Sequence, residues 1–276
     1  MAVTVGIVAQ RENERAQQLA ESLVGLVEKR GDDVLVDNAT AEAIDSSGVP
    51  VDAMNGCAFV VSIGGDGTFL FVAREAGDTP LLGVNLGEVG FLNAVAPANA
   101  VDAVAALLEE VHTQGAVSGR SVSRLTARGE NWCLEPALNE VVVHGPRRGP
   151  AGGLTVDIAV DGESYASSWA DGALVATSTG STAYNLSDGG PLVHPTVDAL
   201  VVTQMCAADA RPSLIVDGDS EITFTVSDAE TAWAISDGRN RQPLESGETV
   251  TVTRADSPIT LAGPTVDFFE ALEKLE

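Results

Sequence analysis

Cys57-Ala58-Phe59-Val60-Val61-Ser62-Ile63 runs without a break into Gly64-Gly65-Asp66-Gly67-Thr68. A short apolar, β-rich run reads as a buried strand. The glycines behind it mark a tight turn, because glycine enters positive φ without steric cost. Thr68 to Ala76 then carries helical spacing at Leu70, Phe71, Ala73 and Arg74, which makes Thr68 the expected cap. The turn therefore presents one carboxylate, Asp66, at the carboxyl end of a core strand, beside the free N–H groups of a helix start. Bare backbone, a helix N-terminus and a lone acid suit a phosphate ester and a hydroxyl group. An ordinary β-to-α turn with a capping aspartate looks similar, so a second glycine and hydroxyl cluster, Asp171 to Tyr184, carries weight beside the first.

Outward from that junction, the first 115 residues alternate between short apolar runs (Val3 to Ala9, Asp33 to Val36, Cys57 to Ile63, Leu81 to Asn85) and helical patterns (Glu12 to Arg30, Thr68 to Ala76, Ala98 to His112). Such alternation implies a doubly wound parallel sheet with helices on both faces, whose ligands sit at the carboxyl ends of strands. From residue 116 to 262 the pieces become short and β-rich: Ser121 to Ala127, Glu140 to His144, Leu154 to Val160, Ala173 to Thr177, Leu200 to Gln204, Glu221 to Val226, Ala232 to Ile235 and Thr249 to Arg254. Asp161-Gly162, Asp217-Gly218, Asp237-Gly238 and Ser246-Gly247 punctuate them, as in an antiparallel β-sandwich. Residues 263–276 return to helix, read over Asp267 to Leu275. The expected fold is thus α/β plus all-β, with an amino-terminal doubly wound domain at 1–115 and a carboxy-terminal antiparallel sandwich.

A chain of 276 residues with 45 % hydrophobic and 20 % charged residues has the composition of two folded domains. No apolar stretch has membrane-spanning length and the start lacks a basic leader, so a cytoplasmic protein with no membrane partner is expected. Net charge is −25, from 40 acidic and 15 basic residues, and Lys29 and Lys274 are the only lysines. Self-repulsion of that size is tolerable where salt screens it, which reads as a halophilic surface. It also argues against nucleic acid, whose phosphates are held by surplus Lys and Arg. Cys57, Cys133 and Cys206 have apolar neighbours and no metal spacing, so buried free thiols are expected; His112, His144 and His194 form no ligand pattern.

Further candidates lie along the chain. Asn85 to Leu92 ends another parallel strand with two glycines, and Asn139-Glu140 opens a strand with an amide and a carboxylate suited to an adenine edge or ribose hydroxyls. The hydroxyl-rich run Thr177 to Tyr184 could wrap an anion without net positive charge. No Walker A sequence, GxGxxG or GxSxG occurs, which speaks against a P-loop NTPase, a standard dinucleotide dehydrogenase and a triad hydrolase.

Taken in order, Gly64 to Thr68, Asn85 to Leu92, Asn139-Glu140, Asp171-Gly172, Thr177 to Tyr184 and Gly189 to Pro195 closely resemble the NAD kinases, which phosphorylate the adenosine ribose 2′-hydroxyl of NAD to give NADP. The resemblance implies a dinucleotide pocket between two domains, a last helix packing back on the first, and a homodimer or homotetramer. It implies Asp66 as general base, Gly67 as a backbone contact, Asn139 and Glu140 on ribose hydroxyls, and Asp171 at the nicotinamide end. Thr182, Ala183, Tyr184, Asn185, Leu186 and Ser187 would line the adenine and nicotinamide surroundings. Gly64, Gly65, Thr68, Arg148 and Arg239 are candidate phosphate contacts, with Arg147 and Arg211 as further cations. Mg²⁺ or another divalent cation would accompany the donor, ATP or inorganic polyphosphate, and no side chain is assigned to the metal. Ser178, Asn185, Asp188 and Trp169 depart from the family pattern, and Trp169 bears on the choice of NAD or NADH. The rivals are another GGDG-class kinase acting on a lipid and a non-catalytic nucleotide sensor.

Overall fold

The computed structural model describes residues 2–87, 91–147 and 152–273, and the chain divides into two units, Met1–Val122 with Pro258–Glu276, and Ser123–Ser257. The first begins β1 (Thr4–Ala9), α1 (Glu14–Lys29), β2 (Asp33–Asp37), α2 (Asn38–Ala43), β3 (Gly48–Val49), β4 (Phe59–Gly64), α3 (Asp66–Glu75), β5 (Leu81–Asn85), α4 (Ala100–Gln114) and β6 (Gly119–Val122). Strands β3-β2-β1-β4-β5 lie in that order, all parallel. Helix α1 starts where the Asn13 side chain accepts the N–H groups of Arg15 and Ala16, and it buries Ala16, Ala20, Leu23 and Val27 at helical spacing. Together with Val104, Leu108 and Val111 of α4 these pack on Val5, Ile7, Val61, Leu82 and Val84. Gly83 faces the opposite side of β5, where Phe69 of α3 meets it. Both faces are therefore covered, as a doubly wound sheet requires.

The second unit comprises β7 (Leu125–Arg128), β8 (Glu140–His144), β9 (Leu154–Val160), β10 (Glu163–Ala170), β11 (Gly172–Thr177), α5 (Tyr184–Ser187), β12 (Ala199–Met205), β13 (Leu214–Asp217), β14 (Ile222–Ser227), β15 (Ala232–Ser236), β16 (Asn240–Leu244) and β17 (Thr249–Arg254). They form two antiparallel sheets, β10-β9-β14-β17-β7 and β13-β12-β11-β8-β15-β16. Val141, Val143, Ala173, Val175, Leu200 and Val202 of one sheet share a core with Val156, Ile158, Ile222, Phe224, Val250 and Val252 of the other. Each such side chain contributes roughly 1.5–3 kcal/mol on burial. Strands β8, β11 and β12 also bury their outer face, where Val142, Leu174, Ala176, Val201 and Met205 meet Val193 and Tyr184 of the β11–β12 connection. That second layer explains why β11 and β12 read as continuous apolar runs rather than as an alternation.

The chain then rejoins the first unit. Strand β18 (Ile259–Ala262) pairs in parallel with β5 and antiparallel with β6, and α6 (Phe268–Leu272) follows, capped by the Asp267 carboxylate. Phe268 meets Phe91 with ring centroids 5.8 Å apart. The division thus falls at 122/123 and 257/258 rather than at 115/116 and 262/263, because β6 and β18 complete the first sheet. The single strand read at Ser121 to Ala127 is two, β6 and β7, in different sheets. The end of the helix read to Leu275 lies outside the described residues.

Candidate functional site

In the first unit the sequence places Asp66 at the first position of α3, with Gly65 as the cap. Thr68 is therefore inside the helix and does not cap it. Gly64, Gly65 and Gly67 all avoid positive φ, so the physical reason for glycine here is space rather than dihedral freedom. A Cβ at Gly64 would stand 2.6 Å from Oγ1 of Thr68, whereas one at Gly65 or Gly67 would meet nothing within 4 Å. The backbone beside Asp66 is open to an approaching molecule. Asp66 itself keeps an exposed edge, yet the protein around its carboxyl removes enough water to raise its pKa, an effect partly offset by Asn93. Asn93 donates from Nδ2 to Asp66 Oδ1 at 2.8 Å. It is fully buried, over the bare α-carbon of Gly83, whose Cβ would come within 2.5 Å of Asn93 Oδ1. Of the loop read at Asn85 to Leu92, Asn85 accepts the Gly87 N–H, and residues 88–90 lie outside the described residues.

In the second unit Asn139 and Glu140 stand at the start of β8, both buried. The hydroxyl-rich loop packs directly on them. Thr177 N–H donates to the Asn139 carbonyl at 2.9 Å, and a Cβ on Gly180 would lie 2.0 Å from that same carbonyl oxygen. The Glu140 carboxyl accepts the backbone N–H of Tyr184, and burial together with the neighbouring Asp237 charge pushes its pKa up to about 8. The Asp237 carboxylate in turn accepts the N–H groups of Leu138, Asn139 and Glu140 at 2.7, 2.8 and 3.1 Å. Asp171 is buried between β10 and β11, its N–H on Met205 and its carbonyl on Gly145.

Residues 5–112 match the ATP-NAD kinase N-terminal domain model and 138–262 the ATP-NAD kinase C-terminal domain model. An NAD kinase of Haloarcula marismortui is 54 % identical over 99 % of this chain and 100 % of its own length. The NAD kinase of Halobacterium salinarum is also 54 % identical, over 99 % of each chain. The chain belongs to the NAD kinase family. Yeast NADH kinase complexed with NADH superimposes with a TM-score of 0.86 at 24 % identity, covering 99 % of this chain and 87 % of that one. The Archaeoglobus fulgidus NAD kinase in complex with ATP gives 0.76 at 21 %, covering 99 % and 97 %. These two likenesses speak for the fold, an α/β unit followed by an antiparallel β unit.

Within this NAD kinase family member, several side chains differ from their sequence reading. Three of the loop hydroxyls are engaged with backbone carbonyls: Thr177 Oγ1 donates to Leu138, Ser178 Oγ to Val197 and Ala199, and Ser181 Oγ to Ser178 and Val193. They tie the loop to the segments beside it. Asn185 is fully buried, donating to the Ser181 and Pro191 carbonyls and accepting from Thr203, so its side chain is structural. Thr182, Ala183, Tyr184 and Leu186 are half-buried and Ser187 exposed, as ligand-lining positions can be. Arg239 is exposed in the turn after Asp237, Arg147 is exposed, and Arg211 stacks over Tyr165 at 5.7 Å; Arg148 lies outside the described residues. Trp169 is 39 % exposed at the end of β10. Cys57 is buried, but Cys133 and Cys206 are exposed, against the expectation of three buried thiols. Among the described residues no group of three His, Cys, Asp or Glu could hold a metal, and no helix is long and apolar enough to cross a membrane.

The sequence reading missed Asn93 and Asp237. A polar amide inside Phe91-Leu92-Asn93-Ala94-Val95 was a signal for the first, while Asp237-Gly238 gave only a turn.

Proposed function

We propose that this chain transfers the terminal phosphoryl group of ATP to the adenosine ribose 2′-hydroxyl of NAD, forming NADP. The observation that carries the assignment is Asp66: an acid at a helix start between glycines with open space beside them, raised in pKa by loss of water and held by Asn93. A carboxylate that grips a proton more firmly than an ordinary aspartate is the better general base near neutrality. Asp66 takes the 2′-hydroxyl proton while that oxygen bonds to the γ-phosphorus and the bond to the β-phosphate oxygen breaks, releasing ADP. Backbone N–H groups at Gly65 to Gly67 and the N-terminal end of α3 favour the donor's negative charge. Asn139 and Glu140 hold ribose hydroxyls, Asp171 the nicotinamide end, and Thr182 to Ser187 line the base, with Asn185 buried behind that lining.

Among the described residues no three His, Cys, Asp or Glu side chains gather for a metal, and a divalent cation enters this reading as the counterion of the donor phosphates, as is usual for Mg²⁺. A cytoplasmic setting at high salt, and a homodimer or homotetramer, belong to the same proposal. The family descriptions favour ATP as donor, with inorganic polyphosphate as the other arm of the test. Purified protein in molar KCl, offered each donor with NAD or NADH, should form NADP from ATP and NAD in an enzymatic NADP assay. No NADP with either donor would remove the assignment.

A further inference from the structure

Glu140 and Asn139 do not hold their places alone. Three consecutive backbone N–H groups, from Leu138, Asn139 and Glu140, converge on one carboxylate, with Leu138 on Oδ2 of Asp237 and the other two on Oδ1. Asp237 and Gly238 have φ of 44 and 67°, and Arg239 N–H closes the turn on the Ser236 carbonyl. That is a type I′ hairpin turn between β15 and β16, and it offers its first side chain to the neighbouring strand instead of to solvent. The Asp237 N–H also donates to the Glu140 carbonyl at 3.1 Å, so the two segments are tied from both sides.

We propose that Asp237 is the positioning residue of the Asn139-Glu140 pair, fixing the loop that carries both side chains and so acting on dinucleotide binding through them. The proposal rests on the NAD kinase reading above and deepens it. Its electrostatic side follows from what surrounds Glu140. The carboxyl is 7 % exposed, and Oε2 is buried without a hydrogen-bond partner. β11 carries no titratable side chain over Gly172–Thr177, and Ala176 stands opposite Glu140. β15 carries none over Ala232–Ser236, β7 offers only Arg128, which is paired with Glu221, and α5 offers the Tyr184 N–H. After loss of water, Asp237 is the main influence that disfavours the Glu140 anion. With its pKa pushed up to about 8, Glu140 favours its protonated form near neutrality, accepting the Tyr184 N–H on one oxygen and meeting a ribose hydroxyl as a donor. A turn that only closed a hairpin would need none of this.

Asp237→Asn tests it. Asparagine accepts the left-handed φ, keeps Oδ1 for two of the N–H groups, and removes the charge and the bond to Leu138. Asp237→Gly, equally at ease at that φ, removes all three bonds and guards against a folding defect peculiar to the amide. Two readouts are taken in molar KCl. In the ligand-free protein, the infrared carboxyl band present in wild type and absent in Glu140→Gln should titrate near pH 8 and move to lower pH in Asp237→Asn. In turnover, KM for NAD should rise about tenfold, the scale of one charge-assisted hydrogen bond, with a smaller change in kcat. An unmoved Glu140 band, or an unmoved KM in a wild type that makes NADP, would overturn the proposal. Failure of the wild type to make NADP would sink the functional reading instead, and the ligand-free titration would still decide for or against Asp237.

Discussion

At the scale of single residues, two acids are tuned in the same direction by loss of water and opposed by different partners. Asp66→Asn should fold as the wild type and lower kcat by roughly 10² or more, the usual scale for a lost general base; unchanged turnover would take Asp66 out of that role. Asn93 stabilises the charged form of Asp66 through its N–H. Asn93→Ala should therefore raise the Asp66 pKa further and move the acid limb of the kcat/KM profile to higher pH, with thermal melts as the control for its fully buried position. Glu140 gives a stability signature. Its folded pKa of about 8 exceeds the ordinary 4.5, so between those values the folded chain binds more protons than the unfolded one. Stability then falls as pH rises through that window, at up to roughly 1.4 kcal/mol per pH unit. Denaturation of wild type and Glu140→Gln from the acid to the alkaline side of the window should show the slope in the first and its loss in the second.

At the scale of elements, glycine does two opposite jobs in the two loops, and substitution separates them. Gly180 is bare because the Asn139 carbonyl occupies its Cβ position, so Gly180→Ala forces backbone apart and should cost about 1–3 kcal/mol. Gly67 lies in α3 with open space and an ordinary φ, so Gly67→Ala should leave stability unchanged or raise it by about 0.4–1 kcal/mol while impairing phosphoryl transfer. Calorimetry beside turnover reads both. Much of this was legible in sequence. The apolar runs at β1, β4, β5, β9, β14 and β17 lie within a residue or two of their strands because periodicity records burial. Other features were hidden because no local pattern encodes a distant partner. The sequence does not tell which backbone carbonyls the hydroxyls of Thr177, Ser178 and Ser181 reach. Asn93 and Asp237 act across 27 and 99 residues of sequence respectively. The short strand β18 joins the first sheet only because β5 and β6 leave a place for it.

At the scale of the whole molecule, a net charge of −25 on 276 residues sets the working conditions. Raising salt from about 0.1 M to about 1 M shortens the Debye length from roughly 10 to roughly 3 Å, so self-repulsion fades while buried pairs persist. The melting temperature should climb steadily with KCl, and a salt-independent melt would contradict the halophilic reading of the surface. The acid Asp66 lies in one unit and the Asn139-Glu140 pair in the other. The most direct test is phosphorus NMR of the product formed from NAD and ATP by the wild-type protein in molar KCl. The expected spectrum gains one phosphomonoester resonance on the 2′-oxygen of the adenosine ribose as ADP accumulates. ATP turnover with no phosphorylated dinucleotide, or a monoester on any other hydroxyl, would contradict it.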